Sequence, residues 1–495
     1  MTVSAELRRL GLGSLAQVPT EARPRVDPRS LGSGILHLGL GAFHRAHQAV
    51  YTEDAIAAAG GDWGIVGVAP RSRDVLERLA AQDRLYSVLS LDADRAVPRV
   101  VGVHTELVHA AGDPESVLAR LADPAIRVVT FTVTEKAYGT GSGNGWTSGT
   151  GPHGQGAAPD PGGVMSLLVR GLIRRAGAGA GPIALVSCDN LPGNGHVLRR
   201  VVHERLALAG QDDVLAWVGE EVGFPTTMVD RIVPATTPEL LERAGALLGV
   251  SDAAPVCAEP FRQWVIEDDF PGGRPAWDRA GAVLTDDVEP WERMKLRALN
   301  SLHSALAYLG ALAGVETIAE ALRLPGATDL LRRFVDEDIA PTLAPPPGQD
   351  ARTYADTVLE RFANPALGHR TLQVAMDGTQ KLPQRLIGTI TDRRQAGASP
   401  RWAALVLSGW MRFVRGRADD GGPLPLNDPL ADTLRAAVRA APDTPEGLAG
   451  ALLGVSAVIP PELADDEELR TLVISWLRVL DRHGVRGALR EAATP

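Results

Sequence analysis

The stretch ILHLGLGAF at residues 35–43 is an apolar run that ends in a Gly-Leu-Gly turn. Nearly continuous apolar character over about four to eight residues is typical of a strand buried on both faces of a parallel sheet. Runs of the same kind follow at 63–70 (WGIVGVAP), 127–135 (RVVTFTVTE) and 183–190 (IALVSCDN), with segments of helical periodicity between them. This alternation of strand and helix predicts a doubly wound α/β sheet in the N-terminal half.

The C-terminal half has a different pattern, which begins near Asp287. Segments such as ERMKLRALNSLHSALAYLGALAG, AEALRLPGATDLLRRFVDEDI and RWAALVLSGWMRFVRG have the periodicity of helices, and prolines and glycines separate them. A chain of 495 residues is also too long for one ordinary core. We therefore expect two domains, an α/β domain over residues 1–286 and a mostly α-helical domain over residues 287–495.

The composition excludes several classes of protein. Charged residues make up 22% of the chain, and the net charge of −10 leaves no cationic surface for nucleic acid or an anionic membrane. The N-terminal residues lack the apolar core of a signal peptide, and no stretch approaches the roughly 20 apolar residues of a membrane helix. Two cysteines, Cys188 and Cys257, suit small apolar core positions better than a disulfide framework. We expect a cytoplasmic protein with no nucleic-acid or membrane partner.

Glycine and small polar residues dominate the segment GTGSGNGWTSGTGPHGQGAAPDPGG at residues 139–163. Such a composition cannot bury enough apolar area to order itself. A flexible surface loop is the simpler interpretation. The alternative is a mobile lid, because the segment follows a predicted strand at the end where ligands bind in such sheets.

The turn after the first predicted strand suits a bound dinucleotide. Gly39 and Gly41 allow a tight turn and a close approach of the backbone to a pyrophosphate, and a helix that begins near Ala42 and Phe43 would present its amides. The third glycine of the usual fingerprint is absent, and His44 takes its place. We expect Gly39, Gly41, Ala42 and Phe43 to contact the cofactor.

The second predicted strand ends without the carboxylate that usually accepts the ribose hydroxyls. Residues 70–73 read Pro-Arg-Ser-Arg instead, which makes Arg71 a candidate cofactor contact and would tolerate a 2′-phosphate. Solvated arginines at the start of a helix are the other interpretation. NADP is therefore possible beside NAD.

His44 and His47 stand three residues apart, a spacing that a pair of metal ligands can have. No third ligand follows at a recognisable spacing. We expect both histidines to lie on the surface or to face the phosphates, and we expect no metal site.

A second chemically suggestive stretch is KLRALNSLH at residues 295–303. At about 100° per residue, Lys295, Asn300 and His303 fall at about 0°, 140° and 80° around a helix, within one arc of about 140°. Leucines and alanines flank this arc. The arc is either solvated helix surface or one wall of an active site.

Reversible oxidation of a secondary alcohol needs these residue types together. A base must accept the hydroxyl proton while hydride leaves, and a lysine with a lowered pKa can be that base. Amide donors can stabilise the charge that develops on the same oxygen. Asn300 would supply one donor and Asn190, at the end of the strand IALVSCDN, another. His303 would hold a neighbouring hydroxyl or orient Lys295.

Eight motifs, spread from the N-terminal half to beyond residue 385, carry a family resemblance. They are HLGLGAFHRAHQAVYTEDA, WGIVGV, TVTEKAYG, SCDNLPGNG, FPTTMVDRIVP, EPFRQWVIEDDFPGGRPAW, ERMKLRALNSLHSALAYLG and AMDGTQKLPQRL. The chain resembles the polyol-specific long-chain dehydrogenases, the family of mannitol dehydrogenase and fructuronate reductase. The resemblance implies an N-terminal Rossmann-type domain that binds NAD(P), a mostly α-helical C-terminal domain, a cleft between them, and metal-independent oxidation of a CH–OH group.

The resemblance also carries over to individual residues. For catalysis it implies the base Lys295, the oxyanion-hole residues Asn190 and Asn300, and the substrate contact His303. For binding it implies Asp230 and Lys381 at the substrate and Glu135 of TVTEKAYG at the cofactor. Two features depart from the family pattern, namely the missing acid after the second strand and the glycine-rich segment.

The motifs TEKAYG and DGTQKLPQR resemble the uronate-reducing branch more than the mannitol branch. A substrate carboxylate would need cations, and candidates in the relevant segments are Lys136, Arg370, Lys381 and Arg385. The alternative is that these are surface charges. We expect the pair D-mannonate and D-fructuronate, with D-mannitol and D-fructose or another polyol as the alternative.

Two rival classes of function remain open to test. A nucleotide-binding regulator without chemistry should keep the glycine turn and lose the base, whereas Lys295 and its partners are all present. A metal-dependent alcohol dehydrogenase would need a ligand set, and the scarcity of cysteine argues against one.

Overall fold

The computed structural model describes residues 7–133, 138 and 163–494. The predicted cofactor contact Glu135, the cation Lys136 and the glycine-rich segment up to residue 162 lie outside this part of the chain. The chain divides into two compact units, Met1–Glu289 and Pro290–Pro495.

The first unit is built on a parallel sheet. In the described residues this sheet has six strands in the order β5-β2-β1-β6-β7-β8, which is the 3-2-1-4-5-6 order of doubly wound dinucleotide-binding folds. Two three-stranded sheets, β10-β3-β4 and β12-β11-β9, accompany it. The strands are β1 (Ser33–Leu38), β2 (Gly64–Ala69), β3 (Tyr86–Leu91), β4 (Ala96–Val101), β5 (His104–His109), β6 (Val128–Phe131), β7 (Ile183–Ser187), β8 (Val222–Gly223), β9 (Thr227–Asp230), β10 (Val256–Ala258), β11 (Gln263–Glu267) and β12 (Val283–Thr285).

Helices cover both faces of the main sheet, which explains why its strands are apolar without alternation. Leu36 and Leu38 of β1 pack on one side, whereas Ile35 packs on the other with Trp264. Every residue of β2 and of β7 is buried. The helices of this unit are α1 (Ala42–Ala46), α2 (Gln48–Ala59), α3 (Asp74–Ala80), α4 (Pro114–Leu121), α5 (Val164–Ala178), α6 (Asn194–Leu208), α7 (Asp212–Glu221) and α8 (Pro238–Leu248).

The second unit is helical. Its helices are α9 (Glu289–Met294), α10 (Ser301–Leu312), α11 (Ile318–Leu322), α12 (Ala327–Arg333), α13 (Ala351–Phe362), α14 (Thr371–Val374), α15 (Gly378–Leu382), α16 (Gly388–Gln395), α17 (Arg401–Val414), α18 (Ala431–Ala440), α19 (Pro445–Leu453), α20 (Pro461–Ala464) and α21 (Glu467–Ala493). Helices α10 and α17 form its centre, where Tyr308 and Phe413 pack ring against ring at 5.6 Å between centroids.

The segment AEALRLPGATDLLRRFVDEDI, which has helical periodicity, contains a break at its proline and glycine. Helix α11 ends at Leu322, and α12 begins only at Ala327. Gly326 between them has φ +85, and a Cβ there would lie 2.5 Å from the backbone oxygen of Leu489. Proline and a left-handed glycine in succession end one helix and start the next.

Three helical segments of the second unit have π-type hydrogen bonding, namely Lys295–Asn300, Phe334–Ile339 and Pro383–Ile387. We call the first the Lys295 turn and the third the Pro383 turn. Pro383 has no N–H to donate, which removes one α-helical bond at the start of its turn. Single π-type turns inside helices occur frequently at functional sites.

Candidate active site

The Gly-Leu-Gly turn has the geometry that only glycine allows at its first position. Gly39 has φ +115, and a Cβ on it would lie 2.2 Å from the backbone oxygen of Thr132. The amide of Gly39 donates to Val68 O at 3.0 Å, which closes the turn against β2. Any larger residue at Gly39 would therefore push β1 away from the chain that follows β6.

A buried histidine supports this turn from below. Nε2 of His37 lies 3.0 Å from Gly39 O, and its Nδ1 lies 2.8 Å from Thr130 Oγ1. Because a carbonyl oxygen can only accept, Nε2 must carry the proton, and the Thr130 hydroxyl donates to Nδ1. Thr132 Oγ1 also donates to Gly39 O at 2.7 Å. The first glycine is thus held by side chains as well as by the sheet.

The prediction that His44 and His47 lie on the surface or face phosphates was wrong, because both are fully buried. The ring of His44 stacks on His37 at 3.3 Å, and its Nε2 lies 3.1 Å from Nε2 of His104. Nε2 of His47 bonds Gln263 O at 2.9 Å. In the residues that the structure describes, no three His, Cys, Asp or Glu side chains are grouped so that they could hold a metal ion.

Helix α1 starts where the turn reaches the surface. Gly41 and Ala42 are exposed, Phe43 is partly exposed, and a Cβ on Gly41 would meet nothing closer than 3.7 Å. The first backbone bond of the helix runs from Arg45 N to Gly41 O at 3.2 Å. The amides before it have no partner within the helix, so they suit an anionic group such as a pyrophosphate.

Arg45 anchors this helix from the inside. Its Nη1 donates to Ala254 O at 2.6 Å, and its own carbonyl accepts from the Tyr86 hydroxyl at 2.8 Å. Both partners belong to the region of the β10-β3-β4 sheet. The small sheet therefore fixes the position of α1 beside the glycine turn.

Two arginines follow β2, as the sequence indicated. Arg71 is exposed, and its carbonyl accepts from His109 Nε2 at 2.9 Å. Arg73 Nε donates to His109 Nδ1 at 3.3 Å, so Nδ1 accepts and Nε2 is the nitrogen that donates to the carbonyl of Arg71. The side chain of Arg71 has no ion pair in the described part of the chain, so it is available to a ribose or phosphate oxygen.

Asn190 follows β7 at the carboxyl edge of the main sheet. It is exposed, and it comes two residues after the buried Cys188. The carboxylate of Asp189 accepts from the Tyr138 hydroxyl at 2.7 Å. Nδ2 of Asn194 donates to Asp189 O at 3.0 Å. The backbone that carries Asn190 is therefore held from two sides.

Asn194 is the buried centre of that arrangement. Its Nδ2 also donates to Thr227 O at 2.9 Å, and its Oδ1 accepts from Thr227 N at 2.9 Å. These bonds tie the end of β7 to β9, which ends at Asp230. Asp230 is 5% exposed and pairs with Gln263 across β9 and β11.

We expect Asn194→Ala to lower the free energy of unfolding by about 3 kcal/mol, because it leaves buried Thr227 and Asp189 backbone groups without partners. Urea unfolding followed by fluorescence measures this. Asn427→Ala is the matched control, since Asn427 is exposed and its change should cost less than about 0.5 kcal/mol. Equal stability of the two variants would contradict the anchoring role.

In the second unit, the Lys295 turn corrects the arc predicted for a regular helix. Bonding from residue i to i+5 widens the turn and brings residues five apart, such as Lys295 and Asn300, closer to each other around the axis. An α-helix would separate them by about 140°. Lys295 is 8% exposed and Asn300 partly exposed. The turn thus places a buried ammonium group and an amide on one face.

The hydroxyl of Ser301 stabilises the irregular turn. It donates to Leu296 O at 3.4 Å, a carbonyl five residues earlier, and also to the carbonyl of Arg385. Arg385 lies in the Pro383 turn. The two π-type turns are therefore tied directly to each other, and the Pro383 turn supports the one that carries Lys295.

His303 belongs to the first turn of α10, the regular helix beyond the Lys295 turn, and its ring lies between two others. Phe362 stacks on it at 4.8 Å and His369 at 5.1 Å. Burial, with the neighbouring His369 ring and the charge of Arg385, holds the pKa of His303 well below its ordinary value. Its Nε2 is shielded from solvent and has no hydrogen-bond partner among the described residues. A neutral imidazole with an unmatched nitrogen suits a substrate hydroxyl.

The other predicted substrate contacts differ in their surroundings. Lys381 is partly buried, its Nζ donates to Val374 O at 3.2 Å, and burial with the neighbouring Arg385 lowers its pKa to about 8. Arg370 is exposed and forms an ion pair with Glu316, itself exposed. The structure brings Lys381 into the neighbourhood of His303 and leaves Arg370 in a surface ion pair.

Several supporting residues escaped the sequence analysis. His37, Tyr138 and Asn194 occupy unremarkable positions in the sequence, and their roles arise from contacts with residues far along the chain. Ser301 lies inside the motif KLRALNSLH and still gave no signal, because its function depends on a helix that is not α-helical. The quoted motifs SCDNLPGNG and TEKAYG contain two of these residues, which was the available clue.

Comparison with known proteins identifies the family. The family model described as the mannitol dehydrogenase Rossmann domain matches residues 33–279, and that of the mannitol dehydrogenase C-terminal domain matches residues 287–474. The chain belongs to the mannitol dehydrogenase family, whose members are NAD(P)-dependent oxidoreductases that act on alcohol groups. The predicted family, the fold class of both halves and the class of enzyme are thereby confirmed.

Named relatives include two kinds of enzyme. The D-mannonate oxidoreductase of Escherichia coli K12 is 40% identical over 94% of this chain and 96% of its own. A mannitol 2-dehydrogenase of Cereibacter sphaeroides is 36% identical over 94% of this chain and 98% of its own. The solved Pseudomonas fluorescens mannitol 2-dehydrogenase, in a ternary complex with NAD and D-mannitol, matches with TM-score 0.85 and 33% identity over 98% of this chain and 100% of that one.

Within the described ranges 7–133, 138 and 163–494, none of the helices combines the length and the hydropathy that a membrane span requires.

Proposed function

We propose that the protein catalyses the reversible oxidation of a secondary alcohol in a sugar alcohol or aldonate, with NAD as hydride acceptor. The observation that carries this proposal is the Lys295 turn, a π-type segment that contains the buried Lys295 and the partly exposed Asn300 and is followed by His303. Family membership supports the class of reaction. The NAD bound to the related Pseudomonas enzyme supports the cofactor.

The first unit has the features that NAD would need. The exposed Gly41 and Ala42 leave room for a pyrophosphate, Gly39 holds the turn, and Phe43 borders it. Arg71 would contact the adenosine ribose, and the predicted contact Glu135 lies outside the described residues. When bound, NAD supplies the carbon that accepts the hydride. NADP remains an alternative, because no carboxylate follows β2.

Lys295 is the proposed proton acceptor. In oxidation, the substrate C–H bond breaks with its electron pair leaving as hydride, while the hydroxyl proton moves to Nζ of Lys295 and the carbonyl forms. The composition supports this role. Only three of the 50 basic residues of the chain are lysines, namely Lys136, Lys295 and Lys381. Arginine cannot be deprotonated in proteins, so a chain that uses arginine almost everywhere must keep a lysine where a base is required.

Amide and imidazole groups complete the proposed site. The Nδ2 groups of Asn300 and Asn190 would donate to the substrate oxygen as alkoxide charge develops on it, which lowers the barrier without competing for the proton. The unmatched Nε2 of His303 would bind a neighbouring hydroxyl. Asp230 and Lys381 would bind further hydroxyl or carboxylate oxygens. Arg370 is a weaker candidate than Lys381, because Glu316 already pairs with it.

The preferred substrates are proposed to be D-mannonate and D-fructuronate. The E. coli relative named D-mannonate oxidoreductase is 40% identical to this chain, and the Cereibacter mannitol 2-dehydrogenase is 36% identical. The partly buried Lys381 in DGTQKLPQR supports an anionic substrate. The second candidate pair is D-mannitol and D-fructose, which the structural match with mannitol 2-dehydrogenase favours.

We expect purified protein to oxidise NADH in the presence of D-fructuronate, with a kcat/KM at least about tenfold higher than with D-fructose. Absorbance at the nicotinamide band measures this, with NADPH assayed in parallel. Turnover of D-fructose alone would assign the protein to the mannitol pair. Cofactor binding without turnover of any ketose or ketouronate would instead support a nucleotide-binding regulator.

A further inference from the structure

Arg385 is held in the Pro383 turn by neutral partners. Its Nη1 donates to Ser304 Oγ at 3.1 Å and approaches Asn300 O at 3.5 Å. It is partly buried, and burial lowers the pKa of its guanidinium from the ordinary value. The bonds through Nη1 fix one side of the planar group and leave the other side, Nη2 and Nε, without a hydrogen bond among the described residues.

Arg385 has neither the carboxylate partner of Arg297 nor the five carbonyl partners of Arg175, two other arginines that are buried in the described part of the chain. Arg297 pairs with Asp392, and Arg175 donates to five backbone carbonyls. No carboxylate of the described residues forms an ion pair with Arg385, and the one acidic group that acts on its charge is the Tyr308 hydroxyl. Burying a charged group without an opposite charge costs free energy. A buried, unpaired guanidinium is therefore expected where a ligand supplies the missing negative charge.

The position of Arg385 relative to the proposed catalytic residues is informative. It touches the backbone of Asn300 through Nη1, and its charge acts on His303 and Lys381. The carboxylates of Asp377 and Asp428 have the opposite effect on Lys381, because they raise its pKa and Arg385 lowers it. Lys381 therefore has carboxylates to balance its charge, whereas Arg385 has none.

We propose that Arg385 binds the carboxylate of an aldonate or ketouronate substrate through Nη2 and Nε and thereby selects acids over neutral polyols. Two parallel N–H donors match the two oxygens of a carboxylate, which an ammonium group cannot do in the same way. This inference rests on the proposed function and adds the residue that determines specificity. Ser304 is a positioning residue, since its hydroxyl orients the guanidinium from behind.

A purely structural role for Arg385 makes a different prediction. Its contacts with Asn300 and Ser304 also join the two π-type turns, so its loss would then reduce activity toward every substrate alike. D-fructuronate and D-fructose separate the two roles, because they share the reacting ketone and differ in carrying a carboxylate or a hydroxymethyl group at the far end.

We expect Arg385→Gln to reduce the ratio of kcat/KM for D-fructuronate to kcat/KM for D-fructose by roughly 100-fold, mainly through KM for the acid, as loss of a charged hydrogen-bond partner does. Arg385→Lys, which keeps the charge and loses the two parallel N–H donors, should reduce the ratio by about tenfold. Arg332→Gln is the matched control, because Arg332 forms an exposed ion pair with Asp356, and its ratio should stay unchanged. An unchanged ratio in Arg385→Gln, with both values of kcat/KM reduced, would overturn the proposal.

Calorimetric binding of D-mannonate and D-mannitol, measured with NAD present, tests Arg385 independently of turnover. Wild-type protein should bind D-mannonate more tightly, and Arg385→Gln and Arg385→Lys should lose that preference. If wild-type protein turned over neither ketose, the proposed function would fall, while a preference for D-mannonate that depends on Arg385 would still support this inference. Turnover of D-fructose without binding of D-mannonate would leave the enzyme class standing and overturn the role of Arg385.

Discussion

We expect Lys295→Met to lower kcat by roughly 10³–10⁴-fold, the range that a positioned general base contributes. Methionine keeps much of the length and the apolar stem, so the buried position is filled and only the proton acceptor is lost. Steady-state oxidation of NADH with the best substrate measures kcat, and the fluorescence of bound NADH measures cofactor affinity. The affinity should change by less than about threefold, because the cofactor contacts are proposed for the first unit.

Two further measurements separate catalysis from structure at this position. Lys295→Ala leaves a space, and added primary amines should restore part of the turnover with a dependence on amine size. Arg293→Met is a control near the same helix, since Arg293 is exposed and pairs with Asp392. Unchanged kcat in Lys295→Met, or an equal loss in Arg293→Met, would be incompatible with Lys295 as the base.

The strands of the first unit could be predicted because both of their faces are buried. Continuous apolar runs such as 63–70 and 183–190 have one physical cause, namely helices on both sides of the sheet, and β2 and β7 are buried throughout. The glycine turn was also predictable, since Gly39 has a backbone conformation that other residues rarely adopt. Local sequence determines these features, so local sequence reveals them.

The shape of the second unit's candidate site could be predicted only in part. Periodicity at about 100° per residue assumes an α-helix, and the turn at Lys295–Asn300 departs from it through bonds that involve Ser301 and the distant Arg385. The residue types and their place within one arc of a helix were recognised, and the closer alignment of Lys295 and Asn300 in a π-type turn was not. Long-range contacts determine that alignment, and no window of sequence contains them.

The environment of the histidines in the first unit also depends on contacts with distant residues, which the sequence did not reveal. His44 occupies the place of a fingerprint glycine, which suggested a surface near phosphates. It is instead stacked on His37 and bonded to His104, sixty residues further along the chain. A single polar residue in a motif does not reveal whether its partners are solvent or other side chains, because those partners come from other strands.

We expect the stability of the protein to fall steeply as the pH is lowered below 6.5, because His37, His44 and His104 are buried as neutral rings. Burial lowers the pKa of His37 and of His104 to about 3 and holds that of His44 well below its ordinary value. Below pH 6.5 the unfolded chain binds protons that the folded chain does not, so stability decreases with falling pH. The loss continues down to about pH 3, where the folded rings also titrate, and is absent above pH 6.5.

The expected effect is large because three rings act together. At pH 5 each ring with a folded pKa well below 5 costs about 2 kcal/mol relative to pH 7, or about 6 kcal/mol for the group. Urea unfolding at pH 7 and pH 5 measures the difference. His104→Gln keeps a hydrogen-bonding side chain and should remove about one third of the contribution that these three rings make to the pH dependence, whereas His196→Gln, at an exposed position, should leave it intact. An equal pH dependence in wild-type protein and His104→Gln would show that the rings beneath the glycine turn are not the source, and the acid sensitivity would then have to come from other groups.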